Sequence, residues 1–242
     1  MSGNNLAADV VREERRRGFD QTAIWIFDLD NTLYPAECNL FAQVHERMRS
    51  FIVENLGVSL AEAKRLQKTY YEQFGTTLSG LMKMHGMAPG PFLDYVHDID
   101  LSCVDERPDL AAAIEQLPGR KLIFTNGSRG HAERVAGKLG ILDQFEDICS
   151  IETCEYVPKP EAEAFDRMVR RYGVSATRAA MFEDMPHNLK APHALGMTTV
   201  LVHSDCVDHP EQFMITAQSE LPEHVHHFTR DLCGFLNDIK FA

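Results

Sequence analysis

Two aspartates separated by one residue are the side chains best suited to chemistry in this 242-residue chain. Asp28 and Asp30 follow the apolar run 23–27, so we expect both carboxylates at the C-terminal tip of a buried strand. Two negative charges in such a place repel each other unless a cation or a reacting group offsets them. Asp-x-Asp alone is common in solvated loops. The pair therefore indicates a catalytic site only if other parts of the chain support it.

A second polar group follows the apolar segment 121–124. Thr125, Asn126 and Gly127 provide a hydroxyl, an amide and a glycine that leaves backbone N–H groups accessible. This combination can bind phosphate oxygens. The same three residues are often an ordinary turn, so their position at the end of another predicted strand is what makes them informative.

A lysine and a second acidic group complete the set. Lys159 lies between two prolines at the start of a predicted helix, where its cation can neutralise both a carboxylate and a phosphate. The apolar segment 179–182 ends in Glu183 and Asp184, and Asn188 follows four residues later. Such oxygen ligands suit Mg²⁺. A surface charge or a helix cap would explain each feature singly, but the ordered combination favours one active site.

In these motifs the chain resembles the haloacid dehalogenase-like superfamily of phosphohydrolases, over about residues 23–203. The resemblance implies that Asp28 is the nucleophile and that Asp30 is the general acid/base. It also implies that Thr125 binds phosphate and that Lys159 balances charge.

The resemblance further implies a Mg²⁺ site. Its ligands would be Asp28, Asp184 and the backbone carbonyl of Asp30. Asn188 occupies a position where many relatives have a second aspartate, and we expect it to orient Lys159 by a hydrogen bond. Supporting roles fall to Glu183 and Asn188.

Two-step phosphoryl transfer is the implied mechanism. Asp28 attacks phosphorus to form an aspartyl phosphate, and Asp30 protonates the departing oxygen and then activates water. We expect Asp30 to retain its proton partly because a second negative charge beside Asp28 is disfavoured. The expected phosphate-binding residues are Leu29, Thr125, Asn126, Gly127 and Lys159. Arg129 and His131 either reach the substrate or lie solvated at a helix start.

The narrower resemblance is to the pyrimidine 5′-nucleotidase branch, through Asp-Leu-Asp-Asn-Thr-Leu-Tyr-Pro and Glu-Asp-x-x-x-Asn. It implies a nucleoside monophosphate as substrate. Phosphoglycolate or a sugar phosphate is an alternative, and a phosphomutase, a dehalogenase and a non-catalytic binding protein are less favoured. A dehalogenase would need neither the acid at position 30 nor magnesium, so activity that survives EDTA would identify it.

Composition agrees with an enzyme of this kind. The formal net charge of −12 argues against a nucleic-acid polymer or an anionic membrane as partner, because both would be repelled. Six cysteines without a secretory leader favour reduced thiols and a cytoplasmic location. The chain contains no run of about eighteen apolar residues, so we expect no membrane span. We expect a monomer or a homodimer.

The periodicity predicts an α/β fold. Strands near residues 23–28, 121–125, 148–151, 179–183 and 198–202 alternate with helical patterns, two of which stop at Gly140 and Gly173. This alternation predicts a doubly wound, mostly parallel, Rossmann-like sheet. Ligands bind such sheets beyond the carboxyl ends of the strands, where all the motifs are predicted to lie.

The long interval between the first two strands predicts a helical cap at residues 38–106. Ser59 and Glu62 form a capping box there, and short helices are predicted near 78–85 and 92–96. The remaining divisions are a polar N-terminal segment at 1–20 and a core domain at 21–37 and 107–242. A cap in this position would exclude water and select the leaving group.

Overall fold

Six parallel strands form one sheet in the computed structural model, which describes residues 17–204 and 221–241. Their spatial order is β3-β2-β1-β4-β5-β6, and every neighbouring pair is parallel. The strands are β1 (Ile24–Phe27), β2 (Arg120–Phe124), β3 (Asp147–Cys149), β4 (Ala179–Glu183), β5 (Thr198–Val202) and β6 (His227–Thr229). Residues 1–16 of the predicted N-terminal segment and Cys206 lie outside the described residues.

The prediction of a doubly wound parallel sheet is confirmed. The limits of β4 and β5 are as predicted, and those of the other three predicted strands differ by one or two residues. The sequence reasoning missed β6. This edge strand has three residues, His-Phe-Thr, and a single apolar side chain in so short a segment produces no detectable periodicity.

Five α-helices lie between β1 and β2, and the first four make up the helical insertion: α1 (Leu40–Leu56), α2 (Leu60–Phe74), α3 (Thr77–His85) and α4 (Pro89–His97). They share a hydrophobic core that also takes in Ile151 and Tyr156 from the segment after β3. Ser59 caps α2 by accepting a hydrogen bond from the Glu62 backbone N–H, but the Glu62 carboxylate pairs with Arg65. Only half of the predicted capping box therefore forms. The division into domains at residues 38 and 106 stays a prediction.

The remaining helices cover the two faces of the sheet. They are α5 (Pro108–Glu115), α6 (Arg129–Leu139), α7 (Ala162–Tyr172), α8 (Lys190–Ala194) and α9 (Leu232–Asn237). Alternate residues of β1 point to opposite faces: Trp25 and Phe27 pack in the core shared with α5, α6 and α9, whereas Ile24 and Ile26 pack in the core shared with α7. Within the described ranges, none of the helices has both the length and the apolar character needed to cross a membrane.

Candidate active site

Three of the predicted site residues follow directly after neighbouring strands. Asp28 follows β1, Thr125 follows β2 and Asp184 follows β4, and β1 lies between the other two strands. Because the strands are parallel, their carboxyl ends meet at one edge of the sheet. Lys159 reaches the same edge from the loop between β3 and α7, where its ammonium group contacts Asp28.

Lys159 is the cation at the centre of this edge. Its side chain is almost fully buried, and Nζ donates to Asp28 Oδ1 at 2.6 Å, to Glu183 Oε2 at 2.7 Å and to the Phe124 carbonyl oxygen at 2.8 Å. Burial opposes its charge, but Asp28 and Glu183 raise the pKa of Lys159 above its ordinary value. The lysine therefore stays protonated.

The predicted role of Asn188 is wrong. An ammonium group has three donors, and those of Lys159 are taken by Asp28, Glu183 and the Phe124 carbonyl. Glu183, which we expected only to support the site, orients the lysine instead. The reason is geometric: Glu183 is the last residue of β4, and its carboxylate lies at the strand end beside the lysine loop.

The Asn126 side chain contacts the lysine loop, and the expected role of this residue as a phosphate ligand stays a prediction. Its Nδ2 donates to the Lys159 carbonyl oxygen at 3.0 Å, and its Oδ1 accepts from the Lys159 backbone N–H at 2.8 Å. These two bonds hold the lysine loop against the end of β2. The neighbouring turn closes where Thr125 Oγ1 accepts from the Gly127 backbone N–H at 2.9 Å.

Gly127 lies in a closely packed turn. A Cβ built at this position would lie 3.2 Å from both His131 Cδ2 and Thr125 Oγ1. The absence of a side chain lets the turn approach these two groups.

A group of three buried carboxylates could hold a metal ion. Oxygens of Asp28, Glu183 and Asp184 all lie within 4.8 Å of one another. Burial and the Glu183 charge raise the pKa of Asp28 to about 7, against a smaller opposing effect of Lys159. Burial and the charges of Glu183 and Asp28 raise the pKa of Asp184 well above its ordinary value.

The charge balance at this group fits a hard divalent cation. Three carboxylates face one ammonium group, and in the described part of the chain the buried Asn188 Oδ1 has no hydrogen-bond partner. Oxygen-rich sets with excess negative charge are typical Mg²⁺ ligands. Asp28 and Asp184 are the predicted ligands, and Glu183 lies in the same group.

Asp30 has a different environment from Asp28. Its Oδ1 accepts from Tyr34 Oη at 2.7 Å and lies 2.9 Å from His131 Nε2. Burial tends to raise the pKa of Asp30, but the charge and hydrogen bond of His131 and the hydrogen bond of Tyr34 lower it overall. The expectation that Asp30 retains a proton is therefore wrong for this structure. Of the two aspartates, Asp28 has the raised pKa and Asp30 the lowered one.

Sequence comparison identifies the family of the chain. A sequence model of the haloacid dehalogenase-like hydrolases matches residues 23–196. The chain belongs to this family. A curated relative, "Phosphate metabolism protein 8" of Saccharomyces cerevisiae, is 29% identical over an alignment of 196 residues. The alignment covers 74% of this chain and 60% of the relative. The haloacid dehalogenase-like chain thus spans less than two thirds of that relative's length.

Solved structures share the fold of this haloacid dehalogenase-like hydrolase. A HAD phosphatase from Thermococcus onnurineus superposes with a TM-score of 0.58 at 18% identity, covering 89% of this chain and 96% of that one. L-2-haloacid dehalogenase from Xanthobacter autotrophicus gives a TM-score of 0.53 at 12% identity, covering 89% and 97%. At these identities the likeness shows the fold alone.

Two residues at the start of α6 differ from expectation. His131 neither reaches outward nor lies solvated: it is 1% exposed and contacts Asp30. Arg129 donates to Asp147 Oδ1 at 2.8 Å and to the Ile148 carbonyl oxygen at 2.6 Å, so β3 holds its side chain.

Sequence reasoning gave Tyr34 and His97 no role, and only His131 carried a usable signal. His131 precedes Ala132 and lies one turn before Val135, on the helix face predicted to be buried.

Proposed function

We propose that this protein is a Mg²⁺-dependent phosphomonoesterase that forms an aspartyl-phosphate intermediate, with pyrimidine nucleoside 5′-monophosphates as substrates. One observation carries the proposal: the Asp28 carboxylate lies against a buried ammonium group and beside two further carboxylates. A phosphoryl-transfer site needs a nucleophile, a fixed cation and oxygen ligands for a metal together. Family membership and a relative named for phosphate metabolism support the same class of reaction.

Asp28 is the proposed nucleophile. Its backbone N–H donates to the Phe182 carbonyl oxygen at 2.9 Å, and Lys159 holds Oδ1, so both backbone and side chain are fixed. One carboxylate oxygen bonds to phosphorus as the bond from phosphorus to the ester oxygen breaks. The rigid support keeps the reacting oxygen in line with the leaving group.

Asp30 is the proposed general acid and base. It gives a proton to the departing ester oxygen and takes one from the water that hydrolyses the aspartyl phosphate. Because its pKa is lowered in the structure, Asp30 is ionised at neutral pH before substrate binds. We propose that the substrate brings this proton by binding as the phosphate monoanion, or that the charge of the bound dianion favours uptake of a proton from water by Asp30.

The phosphate oxygens are proposed to contact Thr125, Lys159 and the backbone amides of Leu29 and Gly127. Mg²⁺, bound by Asp28, Asp184 and the Asp30 backbone carbonyl, would supply the positive charge that offsets repulsion between the nucleophile and the phosphate.

The helical insertion is proposed to select the leaving group. The turn between α2 and α3 lies against the lysine loop, since a Cβ built at Gly75 would lie 3.5 Å from Pro158 Cγ and 3.9 Å from the Lys159 carbonyl oxygen. The insertion therefore reaches the rim of the site. The pyrimidine nucleotide is favoured by the motif resemblance, and phosphoglycolate or a sugar phosphate is the alternative.

A substrate panel tests the proposal. Purified protein with Mg²⁺ would be assayed for phosphate release from UMP, CMP, dTMP, purine monophosphates, phosphoglycolate and several sugar phosphates. We expect the highest kcat/KM with a pyrimidine nucleotide and loss of activity with EDTA. Equal activity on all bases would reduce the claim to a general phosphatase, and EDTA-resistant release of halide from a 2-haloacid would indicate a dehalogenase. If the protein hydrolyses none of these phosphate esters, the proposal is contradicted.

A further inference from the structure

A group of polar side chains, two of them buried histidines, lies beside Asp30. It consists of His131 and Ser128 at the start of α6 and His97 at the end of α4. His131 and His97 are 1% and 7% exposed. The mechanism proposed above makes no use of either histidine.

His131 and Tyr34 both contact one oxygen of Asp30. Tyr34 Oη donates to Oδ1 at 2.7 Å, and His131 Nε2 lies 2.9 Å from the same atom. A carboxylate can only accept, so Nε2 carries the hydrogen. The other oxygen, Oδ2, has no hydrogen-bond partner within residues 17–204 and 221–241, and it faces the Gly127 turn, 3.6 Å from where a Cβ on that glycine would lie. The two donors thus leave Oδ2 available on the phosphate-binding side.

His97 holds His131 in this position. The two rings stack with centroids 4.4 Å apart and an angle of 15° between their planes. His97 Nδ1 lies 2.8 Å from Ser128 Oγ, which also accepts a hydrogen bond from the His131 backbone N–H as the cap of α6. Arg134 donates to the His97 backbone carbonyl oxygen. A residue of the helical insertion is therefore fixed to the helix that carries His131.

We propose that His131 is a positioning residue that orients the Asp30 carboxylate toward the leaving group. His97 couples this orientation to the packing of α4. The proposal rests on the proposed phosphatase function. Removal of the Nε2 donor leaves Tyr34 as the only side chain, among those that the structure describes, that donates to Oδ1, so the carboxylate can rotate away from the ester oxygen. Loss of the stacked His97 ring lets the imidazole of His131 move and has the same effect in weaker form.

The test compares two aryl esters of similar shape, phenyl phosphate and p-nitrophenyl phosphate. Nitrophenolate leaves without a proton, whereas phenolate is a poorer leaving group and depends on the general acid. The parameter to compare is kcat/KM, because it covers steps only up to departure of the leaving group and excludes later hydrolysis of the intermediate.

We expect His131→Ala to lower kcat/KM for phenyl phosphate by roughly 10- to 100-fold and to change that for p-nitrophenyl phosphate by less than about threefold. His131→Gln, which keeps an N–H donor near the Nε2 position, should recover part of the loss. His97→Ala should produce a smaller change in the same ratio. In the His131→Ala background, His97→Ala should change the ratio no further, because it acts through His131.

His85→Ala is the matched control, since His85 contacts Tyr70 within the insertion and should leave the ratio unchanged. Circular dichroism and Tm establish that each variant is folded. If His131→Ala does not fold, His131→Gln provides the test. Equal losses on both esters by the His131 variants would overturn the positioning role while leaving the phosphatase function intact. A wild-type protein that hydrolyses neither ester would overturn both proposals.

Discussion

Asp28 and Asp30 leave the same strand one residue apart, yet their carboxylates lie in opposite electrostatic environments. Asp28 lies among two further carboxylates and one ammonium group, and burial raises its pKa to about 7. Asp30 is also largely removed from water, with 14% of its side chain exposed against 8% for Asp28, but His131 and Tyr34 lower its pKa overall. The surrounding donors and charges, and not the local sequence, therefore determine the sign of each shift.

The difference assigns separate requirements to the two regions. The Asp28 region carries excess negative charge and needs a cation, which agrees with the nucleophile role proposed for Asp28. The Asp30 region is already balanced by hydrogen bonds, so it can exchange a proton without disturbing the metal ligands.

The largest expected effect comes from Asp28→Asn. The amide has the same shape but cannot attack phosphorus, so we expect kcat to fall by roughly 10⁴-fold or more. The rate of phosphate release in the presence of Mg²⁺ measures this fall in kcat. Asp98→Asn is the control, because that exposed carboxylate pairs only with Arg47 among the described residues and its loss should leave kcat unchanged. Near-native activity of folded Asp28→Asn would contradict the nucleophile assignment.

Asp30→Asn should have the next largest effect. Without the acid and base we expect slow turnover, reduced by roughly 10²- to 10⁴-fold. The kcat/KM for p-nitrophenyl phosphate should fall much less than that for phenyl phosphate. A loss that is the same for both esters would show that Asp30 does not protonate the leaving group.

A smaller effect is expected from Asn126→Ala. The variant loses both hydrogen bonds to the Lys159 backbone, so the lysine is less well placed beside Asp28. We expect about a tenfold loss of kcat/KM and destabilisation of about 1–3 kcal/mol, measured by urea denaturation. Asn126→Asp keeps the acceptor but not the donor and should retain an intermediate activity. An unchanged kcat/KM in Asn126→Ala would mean that the loop needs no such support.

The smallest effect is a pH dependence of stability that differs between the two aspartates. The folded pKa of Asp28, about 7, lies above its ordinary value of 3.8, so the folded state holds the extra proton between these values. The contribution of Asp28 to stability should therefore fall as pH rises from 3.8 to 7, by roughly 10 °C in Tm without metal. Mg²⁺ should replace the proton and remove this fall.

Variants separate the two contributions to that profile. Asp28→Asn should flatten the decline between pH 3.8 and 7. The lowered pKa of Asp30 contributes stability above pH 3.8 that is lost as pH falls through its folded pKa. Asp30→Asn should therefore reduce only the loss of stability below pH 3.8. The lowered pKa values of His97 and His226 act in the opposite direction over this range, so the Asp28 contribution is measured as the Tm of wild type minus that of Asp28→Asn. A difference that rises with pH across 3.8–7 in EDTA would contradict the assignment of a raised pKa to Asp28.

The chain sequence was sufficient to predict five of the six strands and the helices that stop at Gly140 and Gly173. These features depend on periodicity and on residues at element ends, which are local properties. Because parallel strands align their carboxyl ends, the same local information predicted that Asp28, Thr125 and Asp184 would share one edge.

The sequence by itself thus determined the order of the strands along the chain and which side chains follow them. Only the tertiary structure decided that Glu183 and not Asn188 holds Lys159, that Asn126 supports the lysine loop, and that His97 and His131 lie beside Asp30. Partners such as Lys159 and Asp28 are far apart in the chain, and no local pattern records which of several nearby polar groups meets a given donor. Packing of the finished fold makes that choice, and with it the opposite pKa shifts of two aspartates on one strand.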